Sequence, residues 1–261
     1  MKSAAASRRI SPIGVFDSGV GGISVLQEIR KLLPDENLIY YADSGHCPYG
    51  GKPQAEIQAR ASAITDFLLG RGVKLVVVAC NTATIAAVEH LRASYPVPFV
   101  GMEPAVKPAA AVSKSGVVGV LATGAALAGE KFHRLVAAHA REVRVITQPC
   151  PGLVEQVEQG DLGSERTRAL VLKYTGPLLK QNADVLVLGC THYPFLRSLI
   201  QDVVGADVTL LDSAAAVARQ TRRVLEREGL LSSSDKAGAV EWHSSGDAAQ
   251  FARLRRLLWS E

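Results

Sequence analysis

The sequence predicts an α/β protein of two similar domains, each with a mainly parallel sheet flanked by helices, and an active site between them. Three observations carry this. Short apolar runs alternate with longer segments of helical periodicity, the pattern of a parallel sheet covered by helices. Two of those runs end alike, in Val76-Val77-Val78-Ala79-Cys80-Asn81-Thr82 and in Val185-Leu186-Val187-Leu188-Gly189-Cys190-Thr191-His192. An Asp-Ser dipeptide also ends a strand in each half, Asp17-Ser18 early and Asp212-Ser213 late.

Taken in order, Ile13–Asp17 is an apolar run closed by an acid, and Asp17-Ser18-Gly19-Val20-Gly21-Gly22 turns from it into a helix over Gly22–Leu33. Leu38–Ala42 is the next strand; Pro48-Tyr49-Gly50-Gly51 is a turn, and Gln54–Arg71 is helical. Leu75–Ala79 leads to Cys80, a helix over Thr84–Ser94 and a strand over Pro98–Gly101. Val117–Ala122 and Val143–Thr147 are strands, Glu165–Gln181 is a helix, and Val185–Leu188 leads to Cys190. Val208–Leu211 and Val240–His243 complete the strands. Continuous apolar runs of this length read as parallel strands buried on both faces. Each cysteine strand follows a helix and a short basic or polar turn, Arg71-Gly72-Val73-Lys74 or Gln181-Asn182-Ala183-Asp184, a hint of internal duplication. The chain is expected to cross between domains near Val106–Ala110 and Ser213–Val217. That gives one domain of residues 1–106 plus 214–261 and a second of 107–213.

The 261 residues are 48% hydrophobic and 21% charged, ordinary for a globular chain with a sizeable core. A net charge of +4 is small for this length and argues against nucleic acid, which needs a concentrated basic stripe. Arg253, Arg255 and Arg256 read as a solvated helix face. The four cysteines, at 47, 80, 150 and 190, form no C-x-x-C pair. Neither a secretory h-region nor a bilayer-spanning stretch is present. The expectation is a cytoplasmic protein with reduced thiols and no membrane contact.

In open α/β sheets, ligands bind beyond the carboxyl ends of the strands, where both Cys80 and Cys190 fall. Thiolates form more readily at helix N-termini, and helix-like segments follow both cysteines. Asp17 ends a strand that can neighbour Cys80, and His192, two residues past Cys190, can take or lend its proton. Two thiols facing one ligand suit proton removal on one face and delivery on the other. The Asp17–Gly22 loop lacks the G-x-G-x-x-G spacing of a dinucleotide site; an amino-acid ligand fits it better, Asp17 meeting an ammonium group and Ser18 a carboxylate. The turn at Tyr49 is either a plain surface loop or a pocket wall offering a hydroxyl and adjacent N–H groups. Cys47 and Cys150 read as packing or rim residues. Rival chemistries fit less well. Zinc on Cys80, Cys190 and His192 lacks short ligand spacing. A cysteine nucleophile with a histidine base leaves one thiol idle. A pyridoxal enzyme needs a Schiff-base lysine, and no lysine ends a strand or sits in a recognisable motif. No metal and no cofactor are expected.

The chain resembles the glutamate racemase branch of the cofactor-independent aspartate/glutamate racemase family. The resemblance rests on Phe16-Asp17-Ser18-Gly19-Val20-Gly21-Gly22, Pro48-Tyr49-Gly50, Val78-Ala79-Cys80-Asn81-Thr82-Ala83, Glu103-Pro104, Gly119-Val120-Leu121-Ala122-Thr123 and Leu188-Gly189-Cys190-Thr191-His192-Tyr193-Pro194, in the family's order over most of the chain. It implies that Cys80 and Cys190 are acid/base thiols on opposite faces of the substrate α-carbon, with Asp17 assisting the first and His192 the second. It implies a further glutamate shortly after a Cys-Pro pair. Cys150-Pro151 leads to Val157-Glu158-Gln159-Gly160, so the role falls to Glu158, with Glu155 a nearby decoy. Substrate contacts are implied for Asp17, Ser18, Tyr49, Gly50, Asn81, Thr82, Thr123, Thr191 and His192. The resemblance further implies a homodimer and a role in supplying D-glutamate for peptidoglycan. Some family members also inhibit DNA gyrase; nothing in the short lead before Ile13 argues for that partner here.

One departure stands out. The family commonly carries a second threonine three places after the one matching Thr123, and here that place is Ala126. A missing hydroxyl donor to a substrate carboxylate weakens binding by about 1–3 kcal/mol if nothing replaces it. Aspartate racemisation, or a non-catalytic binding role, are the alternatives. The implied reaction breaks a weakly acidic C–H bond with no electron sink, so aimed dipoles and exclusion of water must stabilise the carbanion. A thiol suits that work because its unperturbed pKa, about 8.5, lies near working pH.

Overall fold

The structure is a computed structural model that describes residues 9–140, 142–232, 234 and 236–260; most of the basic lead falls outside them. Two compact units emerge, Met1–Met102 with Ala214–Glu261, and Glu103–Ser213. The described residues hold nine strands: β1 Ile13–Asp17, β2 Leu38–Ala42, β3 Leu75–Val78, β4 Phe99–Val100, β5 Val117–Ala122, β6 Arg144–Pro149, β7 Val185–Leu188, β8 Thr209–Leu211 and β9 Val240–Ser244. Each lies on a run that the apolar pattern marks as a strand, with ends shifted by a residue or two.

In the first unit the order is β4-β3-β1-β2-β9, every pair parallel. Asp17 pairs with Ala42, and the Ala79 N–H donates to the Phe16 carbonyl at 2.8 Å. This register brings Asp17, Asp43 and Cys80 to one edge of the sheet. β1 and β3 are wholly buried, as their uninterrupted apolar runs require. At the opposite edge a buried ion pair joins Lys74 to Glu36; the Lys74 ammonium also donates to the Arg9 carbonyl, and Glu36 accepts the Ser232 N–H. Trp242 on β9 packs against Tyr40, Phe251 and Trp259, tying down the last helix, Ala248–Leu258. Arg255 lies over the Trp242 ring, so only Arg253 and Arg256 of the basic trio are the solvated face expected.

The second unit has the order β6-β5-β7-β8, again all parallel. Gly189 continues β7 by donating to the Leu121 carbonyl at 2.7 Å, and a Cβ there would lie 2.9 Å from that same oxygen. Only glycine lets the chain pass this close on its way to Cys190.

Two local expectations need correction. The helix after β3 runs Asn81–Ser94, three residues earlier than expected, because the Cys80 sulfur caps it by accepting the Ala83 N–H at 3.4 Å. Cys190, by contrast, is not followed directly by an α-helix. A 3₁₀ turn, Tyr193–Leu196, comes first, and the α-helix Arg197–Val204 follows it. Pro194 has no N–H to return to the Cys190 carbonyl, so the Tyr193 N–H makes the tighter bond instead, at 3.1 Å. Among the described residues no helix is long and apolar enough to cross a membrane.

Candidate functional site

In the first unit the site residues converge where β1 and β3 end. Cys80 is 5% exposed. Its Sγ accepts from Ala83 N and lies 3.7 Å from the Ser18 hydroxyl. A sulfur at a helix N-terminus, facing an inward-pointing N–H, sits where negative charge is favoured. Asp17 is fully buried and turned into its own loop: Oδ1 accepts from Ser18 N at 2.7 Å and Oδ2 from Gly22 N at 2.6 Å. Gly22 is obligatory here, since a Cβ would lie 2.7 Å from Asp17 Cβ and 2.9 Å from the Tyr40 hydroxyl. The anion that the loop's N–H groups hold is therefore Asp17 itself.

Next to Cys80, Asn81 is buried, and both its amide nitrogen and its amide oxygen lack a hydrogen-bond partner. Buried polar atoms are nearly always paired, and an unpaired one costs about 1–3 kcal/mol. An amide with two open positions beside a buried thiol is able to hydrogen-bond a ligand. Thr82 is buried in the same first helical turn.

The second unit holds a hydrogen-bonded chain. Cys190 Sγ lies 3.6 Å from His192 Nδ1, and His192 Nε2 lies 2.7 Å from Glu158 Oε1. His192 is buried, and Glu158 is 15% exposed. An ionised carboxylate only accepts, so Glu158 keeps the imidazole proton on Nε2 and turns the Nδ1 lone pair toward the thiol. The Thr191 hydroxyl shares that nitrogen at 3.4 Å. Glu158 comes from the helix Leu153–Gln159, one turn beyond Glu155. Thr123 caps the helix Gly124–Ala128, its hydroxyl accepting from Ala126 N at 3.3 Å, and the Ala126 side chain is buried.

Of the expected residues, the structure gathers Asp17, Ser18, Cys80, Asn81 and Thr82 at one sheet edge, and Glu158, Cys190, Thr191 and His192 in one chain. Tyr49 is placed differently from the open hydroxyl considered for it: it is buried, and its hydroxyl donates to Asp43 Oδ2 at 2.5 Å. What the Tyr49-Gly50 turn can offer a ligand is backbone. Cys150 is a packed thiol bonded to the Gln148 carbonyl at 3.2 Å; burial, reinforced by the charge of Cys190, pushes its pKa up to about 12.

Asp43 escaped the sequence reading. It is fully buried at the end of β2 and accepts from Tyr49, from Arg60 Nε at 3.0 Å and Nη2 at 2.8 Å, and from the Ser245 hydroxyl at 2.7 Å. Burial alone would raise its pKa, but the bonds from Arg60, Tyr49 and Ser245 and the guanidinium charge prevail and lower it. A signal existed: Asp43-Ser44 is a third Asp-Ser dipeptide at a strand end.

A thiol beside an open amide in one parallel α/β unit, and a thiol–imidazole–carboxylate chain in another, define a protein equipped to move protons at sulfur. The chain belongs to the Asp/Glu/hydantoin racemase family, whose model matches residues 13–221. It is 59% identical over 247 residues to a glutamate racemase of Herpetosiphon aurantiacus, spanning 95% of this chain and 97% of that protein. Among solved structures it is similar to the glutamate racemase of Thermus thermophilus in complex with β-chloro-D-alanine, with a TM-score of 0.81, 38% identity, and 97% and 94% of the two chains covered. It is likewise similar to the Escherichia coli enzyme in complex with L-glutamate and the activator UDP-MurNAc-Ala, with a TM-score of 0.83, 36% identity and 95% of each chain covered.

Proposed function

We propose that this protein interconverts L-glutamate and D-glutamate by two-thiol proton transfer at the α-carbon, without a cofactor. The observation that carries the reading is that each unit ends a buried strand in a thiol with its own proton environment. Cys80 caps a helix, and Cys190 faces a histidine held by a glutamate. One thiolate takes the α-proton while the other thiol delivers a proton to the opposite face; the reverse direction exchanges their roles. His192 lends and recovers the Cys190 proton, and Glu158 keeps its tautomer. Asp17 holds the loop that presents Ser18 to Cys80. Ser18, Asn81, Thr82, Thr123, Thr191 and the backbone at Tyr49 and Gly50 supply donors to the substrate, whose neutralised carboxylate lowers the cost of the carbanion. On this reading the two units, Met1–Met102 with Ala214–Glu261 and Glu103–Ser213, are the two domains of the enzyme, and the substrate is held away from water. A homodimeric intracellular enzyme supplying D-glutamate for peptidoglycan is part of the same proposal.

Ala126 is buried where the family commonly has a threonine, so one hydroxyl donor is missing, and aspartate as substrate is the second reading to test. Both are tested by incubating metal-free and pyridoxal-free protein in D2O with each enantiomer of glutamate and aspartate. Deuterium is followed by NMR and isomers by chiral chromatography. Deuterium in the glutamate product, and racemisation lost in Cys80→Ala and Cys190→Ala, is the expected result. Exchange with aspartate alone moves the protein to the second reading, and no exchange by folded protein overturns both.

A further inference from the structure

Buried Asp43 joins five segments of the first unit, four through its carboxylate and one through its backbone. Its backbone N–H donates to the Asp17 carbonyl at 2.9 Å, fixing it to the end of β1. Its side chain takes Arg60 from the helix Gln54–Leu69, Ser245 from the loop after β9, His46 Nδ1 at 3.1 Å from the first 3₁₀ turn and Tyr49 from the second. Ser245 also accepts the Gly45 N–H at 3.1 Å, and a Cβ on Gly45 would lie 2.8 Å from the Ser245 carbonyl, so the two loops are closely fitted. Tyr49 is the informative partner, because it packs in the same core as Cys80, and the charge of Cys80 acts on its phenol. The Tyr49-Gly50 turn is thereby tied, through a phenol anchored on a carboxylate, to the end of β2, whose neighbour β1 ends in Asp17.

We propose that Asp43 is a positioning residue for the Cys80 half of the site. Acting through Tyr49, it fixes the Tyr49-Gly50 turn against the substrate without touching the substrate itself. The proposal rests on the racemase reading above and extends it to a residue outside the reacting groups. Glutamate is expected to bind on a turn that this O–H···O bond helps to place, so loosening the bond loosens binding.

The test compares Asp43→Asn, Tyr49→Phe and the double variant with the unaltered chain, measuring kcat and KM for both enantiomers of glutamate together with Tm. Each single variant is expected to raise KM about tenfold or more, the scale of loss when a binding group is misplaced by a fraction of an ångström to an ångström. Each should keep most of kcat at saturation, and the double variant should be no worse than Asp43→Asn, because both changes break the same bond. Unaltered KM in a variant with lowered Tm overturns the proposal and leaves a purely structural role. Additive effects in the double variant overturn it as well. If Asp43→Asn does not fold, Tyr49→Phe decides alone: it leaves the carboxylate with Arg60 and Ser245 and removes only the link to the turn, and a KM within twofold of the unaltered chain's, about the reach of context effects, overturns the proposal. A parent chain inactive on glutamate overturns the racemase reading first; an active parent with indifferent variants overturns this proposal only.

Discussion

Cys150 and Cys190 lie close enough for charge on one to act on the other, yet they have opposite chemical prospects. With its pKa pushed up to about 12, Cys150 stays a thiol through the neutral range. At pH 8, iodoacetamide is expected to label it more than about a hundredfold more slowly than a free thiol with a pKa near 8.5, read peptide by peptide in a mass spectrometer. At Cys190 the sulfur depends on His192, and His192 on Glu158. His192→Ala is expected to lower kcat by about 10²–10⁴-fold, the usual share of a positioned acid or base. Glu158→Gln keeps the shape but not the charge on Nε2, and a loss of about tenfold or more in kcat, with little change in KM, is expected in steady-state assays. In the sequence the strand-end pattern pointed to Cys190 and His192, and motif resemblance to Glu158. The sequence had no physical means of choosing Glu158 over Glu155, which lies three places away on the same short helix and differs in what it meets across the fold.

At the scale of elements, the strands were the legible part. β1, β3, β5 and β7 are apolar because both their faces are covered, and that leaves a mark in the sequence that no turn or cap obscures. The start of the helix after β3 was not legible, because cysteine is not among the residues whose side chains commonly cap helices; the thiol had to be seen accepting an N–H. Asp43 carried only the faint Asp-Ser signal for another reason. Its partner Arg60 lies 17 residues away on the helix Gln54–Leu69, and Ser245, 202 residues away, is brought to it by the parallel register of β2 and β9. The loop after β1 yields a prediction of its own. Gly22→Ala forces a methyl against Asp17 Cβ and the Tyr40 hydroxyl, and a loss of about 1–3 kcal/mol in denaturant unfolding is expected, because the packed neighbours cannot recede. Because Gly22 N also holds Asp17, activity should fall further than stability alone explains.

Over the whole molecule, the buried Lys74–Glu36 pair binds the stretch near Arg9, the turn before β2 and the segment around Ser232, three parts of the first unit far apart in sequence. Lys74→Met strands a buried carboxylate and should cost about 3–5 kcal/mol in chemical denaturation, whereas Lys74→Met with Glu36→Leu should recover part of that loss. The duplicated appearance of the chain was legible at this scale, in the paired cysteine strands. The uneven way the chain is divided has a different consequence. Glu103–Ser213 is an uninterrupted stretch, its two ends clasped by the Ser213 hydroxyl on the Glu103 carbonyl, while the first unit waits for residues 214–261 and for β9 to cover the free flank of β2. Since synthesis runs from the N-terminus and compact units fold as they are completed, the half of the protein that leaves the ribosome first is the half that finishes last. Until β9 arrives, β2 is an unsealed border of the newborn chain, open to pairing with a stranger.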